Sequence, residues 1–246
     1  MRALRIALQF LTRLPLPQPG ECTPRERGHS VLYYPLVGLI IGVLLLILNS
    51  VLGESDAGVR AALLLLVWVL LSGGLHLDGL ADSADAWLGG YGDRQRSLDI
   101  MQDPRSGPAA VMLVVLVLLV KFAALAALLK QGNWSMLLTA PLLGRAAMVG
   151  VFLATPYVRE HGLGAQLAQQ LPRRGALYVL VLCAIAVVSF EDGNGVWLLA
   201  VTVVGVALLR RMMLQRLGGT TGDTLGATCE IIEALVLATA SIMVGE

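Results

Sequence analysis

AVMLVVLVLLVKFAALAALL, residues 110–129, carries a single charge, Lys121, in a run otherwise made only of apolar side chains. About 20 such residues let a helix cross about 30 Å of hydrocarbon, and in lipid a helix satisfies its own backbone polar groups. The rest of the chain has the same character. Of 246 residues, 57% are hydrophobic and 14% charged, and the mean hydropathy is +0.76. That is too little charge to cover a soluble domain. Working outward from 106–129, further apolar spans are legible near 34–52, 60–82, 135–155, 176–190, 196–214 and 226–244. The span at 176–190 is short enough to leave a re-entrant segment open. Turn signals at Gly53–Glu54, Gly89–Asp93, Gln131–Asn133, Pro172–Gly175, Glu191–Gly195 and Gly218–Gly222 separate them. The expectation is an all-α polytopic membrane protein of about seven transmembrane helices, a single domain over residues 1–246.

The start of the chain does not resemble a cleavable signal peptide: Arg5 and Arg13 interrupt its apolar residues, and Pro15 and Pro17 follow. Arg2, Arg5, Gln9, Thr12 and Arg13 recur at helical spacing among apolar residues. This predicts a short helix in the membrane interface, with a frayed turn as the alternative. Placing the N-terminus in the cytoplasm puts Arg2, Arg5, Arg13, Arg25, Arg27, Arg94, Arg96, Arg105, Arg159, Arg173, Arg174, Arg210, Arg211 and Arg216 inside. Only Arg60 and Lys130 then fall outside, as the positive-inside rule requires. Seven spans place Glu246 outside. A net charge of +1 gives no electrostatic case for nucleic acid. Cys22, Cys183 and Cys229 lack metal-ligand spacing and form no even disulfide set.

GGLHLDGLADSAD, residues 73–85, ends the second span. On a helix, Asp78 and Asp85 nearly eclipse and Asp82 lies within about 60° of both, over a rise of about 10 Å. Three carboxylates on one face suit a hard cation bridged to a phosphate; the alternative is three acids solvated at a helix end. If the span runs straight from residue 60, Asp78 emerges about 27 Å later, at the inner boundary. His76 lies about 160° from Asp78, so it faces elsewhere unless the backbone bends at Gly73, Gly74 or Gly79.

MQDPRSG, residues 101–107, opens the third span. Asp103 and Pro104 read as an N-cap and first helical residue, or Asp103 completes a metal set while Arg105 grips a phosphate. RLGGTTGDTLGATCE, residues 216–230, opens the last span, and its glycines and threonines suit a phosphate-holding nest or an ordinary capped turn. Asp223 and Glu230 share a face there. Lys121 and Arg145 lie well inside the membrane and need partners or a wet cavity; Glu230, Glu233 and Asp78 are the nearest candidates for Arg145.

Taken with FLTRLPLP (10–17), YYPLVGLIIG (33–42) and Gly144–Arg145, these stretches resemble the cobalamin synthase family, the adenosylcobinamide-GDP ribazoletransferases, along nearly the whole chain. GGLHLDGLAD and GGTTGDTLGA are specific in combination. The chain departs from the family's usual residues at Ala86, Gln102 and Ala110, which leaves the carboxylates intact. The resemblance implies a magnesium-dependent transfer of the adenosylcobinamide-phosphate group from adenosylcobinamide-GDP to alpha-ribazole or its 5′-phosphate, releasing GMP. It implies a multi-pass protein of the bacterial cytoplasmic membrane with its active site facing the cytoplasm. It leaves room for a homo-oligomer and for association with other enzymes of the pathway.

The expected site places Asp78, Asp82, Asp85 and Asp103 on Mg2+, with Asp82, Asp85, Asp103 and Arg105 catalytic. Arg145, Lys121, Thr221, Asp223, Glu230 and His76 are expected to hold substrate. A membrane prenyltransferase is the nearest other enzyme, but its usual DDxxD is absent. A secondary transporter is the alternative of another class, and it would keep its site near the midplane.

Overall fold

The computed structural model describes residues 2–243 other than 19, 161 and 192. The expected position of Glu246 lies outside the described residues. The helices are α1 (Arg2–Leu11), α2 (Pro24–Ser30), α3 (Tyr34–Leu52), α4 (Ala57–Ser72), α5 (Leu75–Gly89) and α6 (Arg94–Ile100). They continue with α7 (Pro108–Lys130), α8 (Met136–Ala154), α9 (Leu163–Gln169), α10 (Arg173–Phe190), α11 (Gly195–Leu217) and α12 (Gly222–Met243). A 3-10 turn, Val31–Tyr33, joins α2 to α3. Among the described residues there is no strand, only an isolated parallel bridge between Tyr157 and Thr220.

Among the described residues six helices are long and apolar enough to cross a membrane: the continuous Pro24–Leu52 stretch, α7, α8, α10, α11 and α12. The α4–α5 pair makes a seventh if it counts as one broken span. The chain is an all-α polytopic membrane protein. α10, with 18 residues, is long enough to span, which favours a full crossing for the stretch read as short.

The expected straight span over 60–82 is not what forms. α4 stops at Ser72, Gly73 and Gly74 both take left-handed backbone (φ 63° and 70°), and α5 leaves at 87° to α4. Two consecutive left-handed residues end a helix, and glycine reaches that conformation without the Cβ clash other residues meet. The amides of Gly73 and Gly74 return to the Leu70 and Val69 carbonyls, and Arg13 braces the corner through its own amide to the Leu71 carbonyl at 2.8 Å. The helix that carries the three aspartates is therefore a separate element, and depth cannot be counted off from residue 60.

α8 and α12 form the centre: 78% of the α8 span and 67% of the α12 span is buried, against 17–22% for α7, α10 and α11. Small residues such as Ala140, Gly144, Ala146 and Ala147 let helices close on α8, as membrane helix packing requires. α1 packs with Ala7 and Leu11 fully buried, so the N-terminal segment is a formed helix.

Three short helices occupy stretches expected as loops. Thr23 and Glu26 close a capping box on α2, and Asp93 caps α6 by accepting from the Arg96 amide at 2.7 Å. The third, α9, has no side-chain cap. The start of the third span also differs from expectation. Gly107 is the N-cap of α7 and Pro108 its first residue, so Asp103 and Pro104 do not fill those places.

One end of the bundle gathers the start of α7, the ends of α8 and α11 and the start of α12. Arg94 Nε donates to the Leu217 carbonyl at 2.7 Å, so the 86–105 and 215–225 stretches share a face. At the other end, Arg60 reaches the Leu129 carbonyl, and Ser135 donates to Glu191 at 2.9 Å.

Candidate active site

α5 crosses α12 where both carry glycine. A Cβ at Gly79 would stand 2.6 Å from the Asp223 carbonyl oxygen, and one at Gly226 would stand 3.2 Å from the Cα of His76. That approach brings the acids of α5 to Asp223 at the start of α12. Asp78 is exposed and Asp82 half-buried. The charges that act on Asp82 are Asp78, Asp223, Arg159 and Asp85. Arg159 is the counterion, donating to Asp223 Oδ2 at 2.7 Å. Asp78, Asp223, His76, Gly79, Tyr157 and Phe10 line part of a cavity of about 140 Å³.

Asp85 has a different task. Its carboxylate accepts from the amides of Gly107 at 2.5 Å and Ala110 at 3.0 Å. It thereby caps α7 from a neighbouring helix and satisfies two of the three amides that this helix start leaves open, Pro108 having none. Asp103 sits on the 101–107 turn in a fork from Arg105, with Arg105 Nη2 to Asp103 Oδ2 at 2.6 Å. Those hydrogen bonds hold its carboxyl at about 2. The structure thus brings together Asp78, Asp82 and Asp223, keeps Asp85 as a bracket, and pairs Asp103 with Arg105.

The expected phosphate nest is closed. The Thr220 amide donates to the Pro156 carbonyl, and the Val158 amide to the Thr220 carbonyl. Thr221 and Thr224 exchange amide-to-hydroxyl bonds at 2.9 and 3.2 Å. Thr220 and Thr221 are fully buried; Thr221 Oγ1 lies 3.4 Å from Asp223 Oδ2, where it steadies that carboxylate. Gly218 and Gly222 of this stretch are exposed, and Gly222 stands next to Asp223.

The deep cations lie together. Lys121 Nζ donates to Glu230 at 2.8 Å and to Glu233 at 2.5 Å, and it rests 4.5 Å from the Trp68 ring centre. Arg145 pairs with Glu233 and lies 3.3 Å from His76 Nδ1. All five charged or imidazole groups are buried. Lys121, Arg145, Glu230 and His76, expected to hold substrate, here hold one another.

Two contributors escaped the sequence reading. Arg159 entered it only as a loop charge, because nothing local links it to Asp223 across 64 positions. Glu233 was legible only as a candidate partner of Arg145, though its three-residue spacing from Glu230 puts both on one helix face.

The fold and these groups define the class: a polytopic α-helical membrane protein with a cluster of carboxylates at one end of its bundle. The cobalamin-5-phosphate synthase profile matches residues 3–241, and the chain belongs to that family. A Pseudomonas putida (strain F1) protein is 58% identical over 232 residues, covering 94% of this chain and 95% of its own length. Pseudomonas entomophila has one 55% identical over 239 residues, 97% and 98% of the two chains. Both are named adenosylcobinamide-GDP ribazoletransferase. No solved structure matches the chain.

Proposed function

We propose that this chain transfers the adenosylcobinamide-phosphate group from adenosylcobinamide-GDP to alpha-ribazole or its 5′-phosphate, releasing GMP, at the cytoplasmic face of the bacterial inner membrane. The names of its relatives support the reaction, and the fourteen arginines that fall on one side in the charge count support the orientation. The observation that carries the reading is the meeting of Asp78 and Asp223 on one cavity at the α5–α12 crossing, one helical turn from Asp82, with Arg159 bonded to Asp223.

Such an excess of carboxylates fits a divalent cation. Among the described residues no three His, Cys, Asp or Glu groups could by themselves hold a metal ion, and Mg2+ commonly takes one or two protein carboxylates plus phosphate oxygens. Asp78 and Asp82 are the ligands we assign. When bound, Mg2+ would neutralise charge on the pyrophosphate and its departing half. The acceptor hydroxyl oxygen attacks the phosphorus next to the cobinamide, the bond from that phosphorus to the GMP oxygen breaks, and one carboxylate of the cluster accepts the hydroxyl proton. Arg159 and the outward-facing Arg105 offset negative charge on the leaving GMP. Asp85 and Asp103 shape the 101–107 turn rather than touch the metal. The deep cations pair with Glu230 and Glu233, so they form no open site near the midplane, where a transporter would keep one.

The test is GMP release by the purified chain in proteoliposomes, supplied with adenosylcobinamide-GDP and alpha-ribazole, with and without Mg2+. GMP forming only with Mg2+ and acceptor is expected. Equal release after chelation of all divalent metal, or solute flux without GMP, would overturn the reading.

A further inference from the structure

On the other side of the α5–α12 contact lies a second cavity, a crevice of about 360 Å³ between α5, α7, α11 and α12. It lies at the level of the first turns of α7 and α12 and the last turns of α11, the end of the bundle that carries the acids. Its walls are apolar, and Trp87, Met112, Met212 and Met213 stand among them. Two hydroxyls line it, from Ser83 and Thr224. Thr224 is bonded within the threonine network. Among the described residues Ser83 Oγ has no hydrogen-bond partner, although the residue is only 8% exposed.

A buried hydroxyl without a partner in an apolar crevice is costly unless something arrives to bond it. An acyl chain would fill the space and leave the hydroxyl unpaired. Guanine or adenine would bring several polar edge groups to a wall that offers one free partner. A bicyclic aromatic base, mostly apolar and bearing one free ring nitrogen, matches both features. Methionine sulfur and an indole make favourable contacts with such a ring. Ser83 follows Asp82 on α5, and Thr224 follows Asp223 on α12. A nucleoside with its base in the crevice therefore lies against the same turns of α5 and α12 that carry the carboxylates.

We propose that this crevice holds the benzimidazole-type base of the acceptor nucleoside, with the Ser83 hydroxyl donating to its free ring nitrogen. The inference rests on the transferase reading above, since it takes the acceptor from that reaction.

The experiment uses the full chain in nanodiscs, with alpha-ribazole as the probe and two variants, Ser83→Ala and Ala84→Leu. Ala84 is a small buried residue on the crevice wall. Ser83→Ala should raise the KM for alpha-ribazole about tenfold, the size expected for one lost hydrogen bond to a buried partner, while kcat and the KM for adenosylcobinamide-GDP stay within about twofold. Ala84→Leu should raise the same KM further by filling the space. Should Ala84→Leu fail to fold, Ser83→Ala decides. A hydroxyl that merely supported the fold would not move the KM of one substrate alone. Alpha-ribazole should also change the Trp87 emission saturably, with the signal lost in Trp87→Phe, and this needs no turnover. Unchanged acceptor KM in a folded variant would overturn the inference and leave the transferase reading intact. A saturable Trp87 signal in a chain that never releases GMP would do the reverse. Neither signal nor turnover would remove both.

Discussion

α12 carries two groups of acids, and they do opposite things. Glu230 and Glu233, two and three turns in, meet Lys121 and Arg145 in a cluster where two anions face two cations and every member is buried. Asp223, at the first turn, meets the acids of α5, where among the described residues Arg159 is the cation that pairs with it and Asp78 is open to solvent. A charge inside the bilayer costs about 2.5–3.5 kcal/mol on insertion scales, so the deep group can persist only when balanced and closed. The group at the end of the bundle is unbalanced and open, which is the condition for taking up a cation and a phosphate. Buried ion pairs hold a fold together; surplus carboxylates at an opening bind.

The sharpest way to break this contrast is to remove one member of the closed group. Glu233→Gln leaves Lys121 with Glu230 and takes from Arg145 its carboxylate partner, and loss of one partner of a buried pair costs about 3–5 kcal/mol. The variant should lose monodispersity or unfold at markedly lower temperature in detergent. Normal thermal stability would mean that the closed group does not carry the fold.

The helix crossing that builds the open group comes next. Gly79→Ala places a Cβ against the Asp223 backbone, an overpacking expected to cost about 1–3 kcal/mol. Because α5 must back away from α12, turnover should fall more than stability. Wild-type kinetics in a folded Gly79→Ala protein would show that the approach does not position the acids.

A smaller effect belongs to the bracket. Asp85→Ala removes the carboxylate that caps α7, a loss of about 1 kcal/mol. Amide hydrogen exchange at the first turn of α7 should quicken while the rest of that helix stays protected. A collapse of Mg2+ dependence with unchanged exchange would instead make Asp85 a metal ligand.

The spans were legible because a run such as 110–129 has one physical solution in lipid. The motif at 73–85 was legible as chemistry but not as geometry. Gly73 and Gly74 were noted as points where the backbone can bend, yet whether two glycines turn left-handed depends on packing against Arg13, which no local pattern encodes. The same holds for Asp103. Its neighbours read as a helix start, but the true cap of that helix comes from outside the segment, and this released Asp103 to Arg105. Glycines and threonines at 218–222 promised open amides, and pairing with residues 156–158 closed them. Long-range pairing decided each of these positions, whereas composition and spacing decided the spans and the face on which the acids sit.

The most direct test compares two variants with two readouts in one preparation: thermal unfolding and GMP release for Asp82→Asn and Glu233→Gln. Asp82→Asn keeps the side-chain size, removes a charge from a surplus and leaves no buried cation unpaired. Its unfolding temperature should match wild type while GMP release falls about a hundred- to a thousandfold, the scale on which loss of an electrostatic catalytic group is felt. Glu233→Gln should show its main loss in unfolding temperature. Wild-type GMP release by a stably folded Asp82→Asn protein would contradict the account.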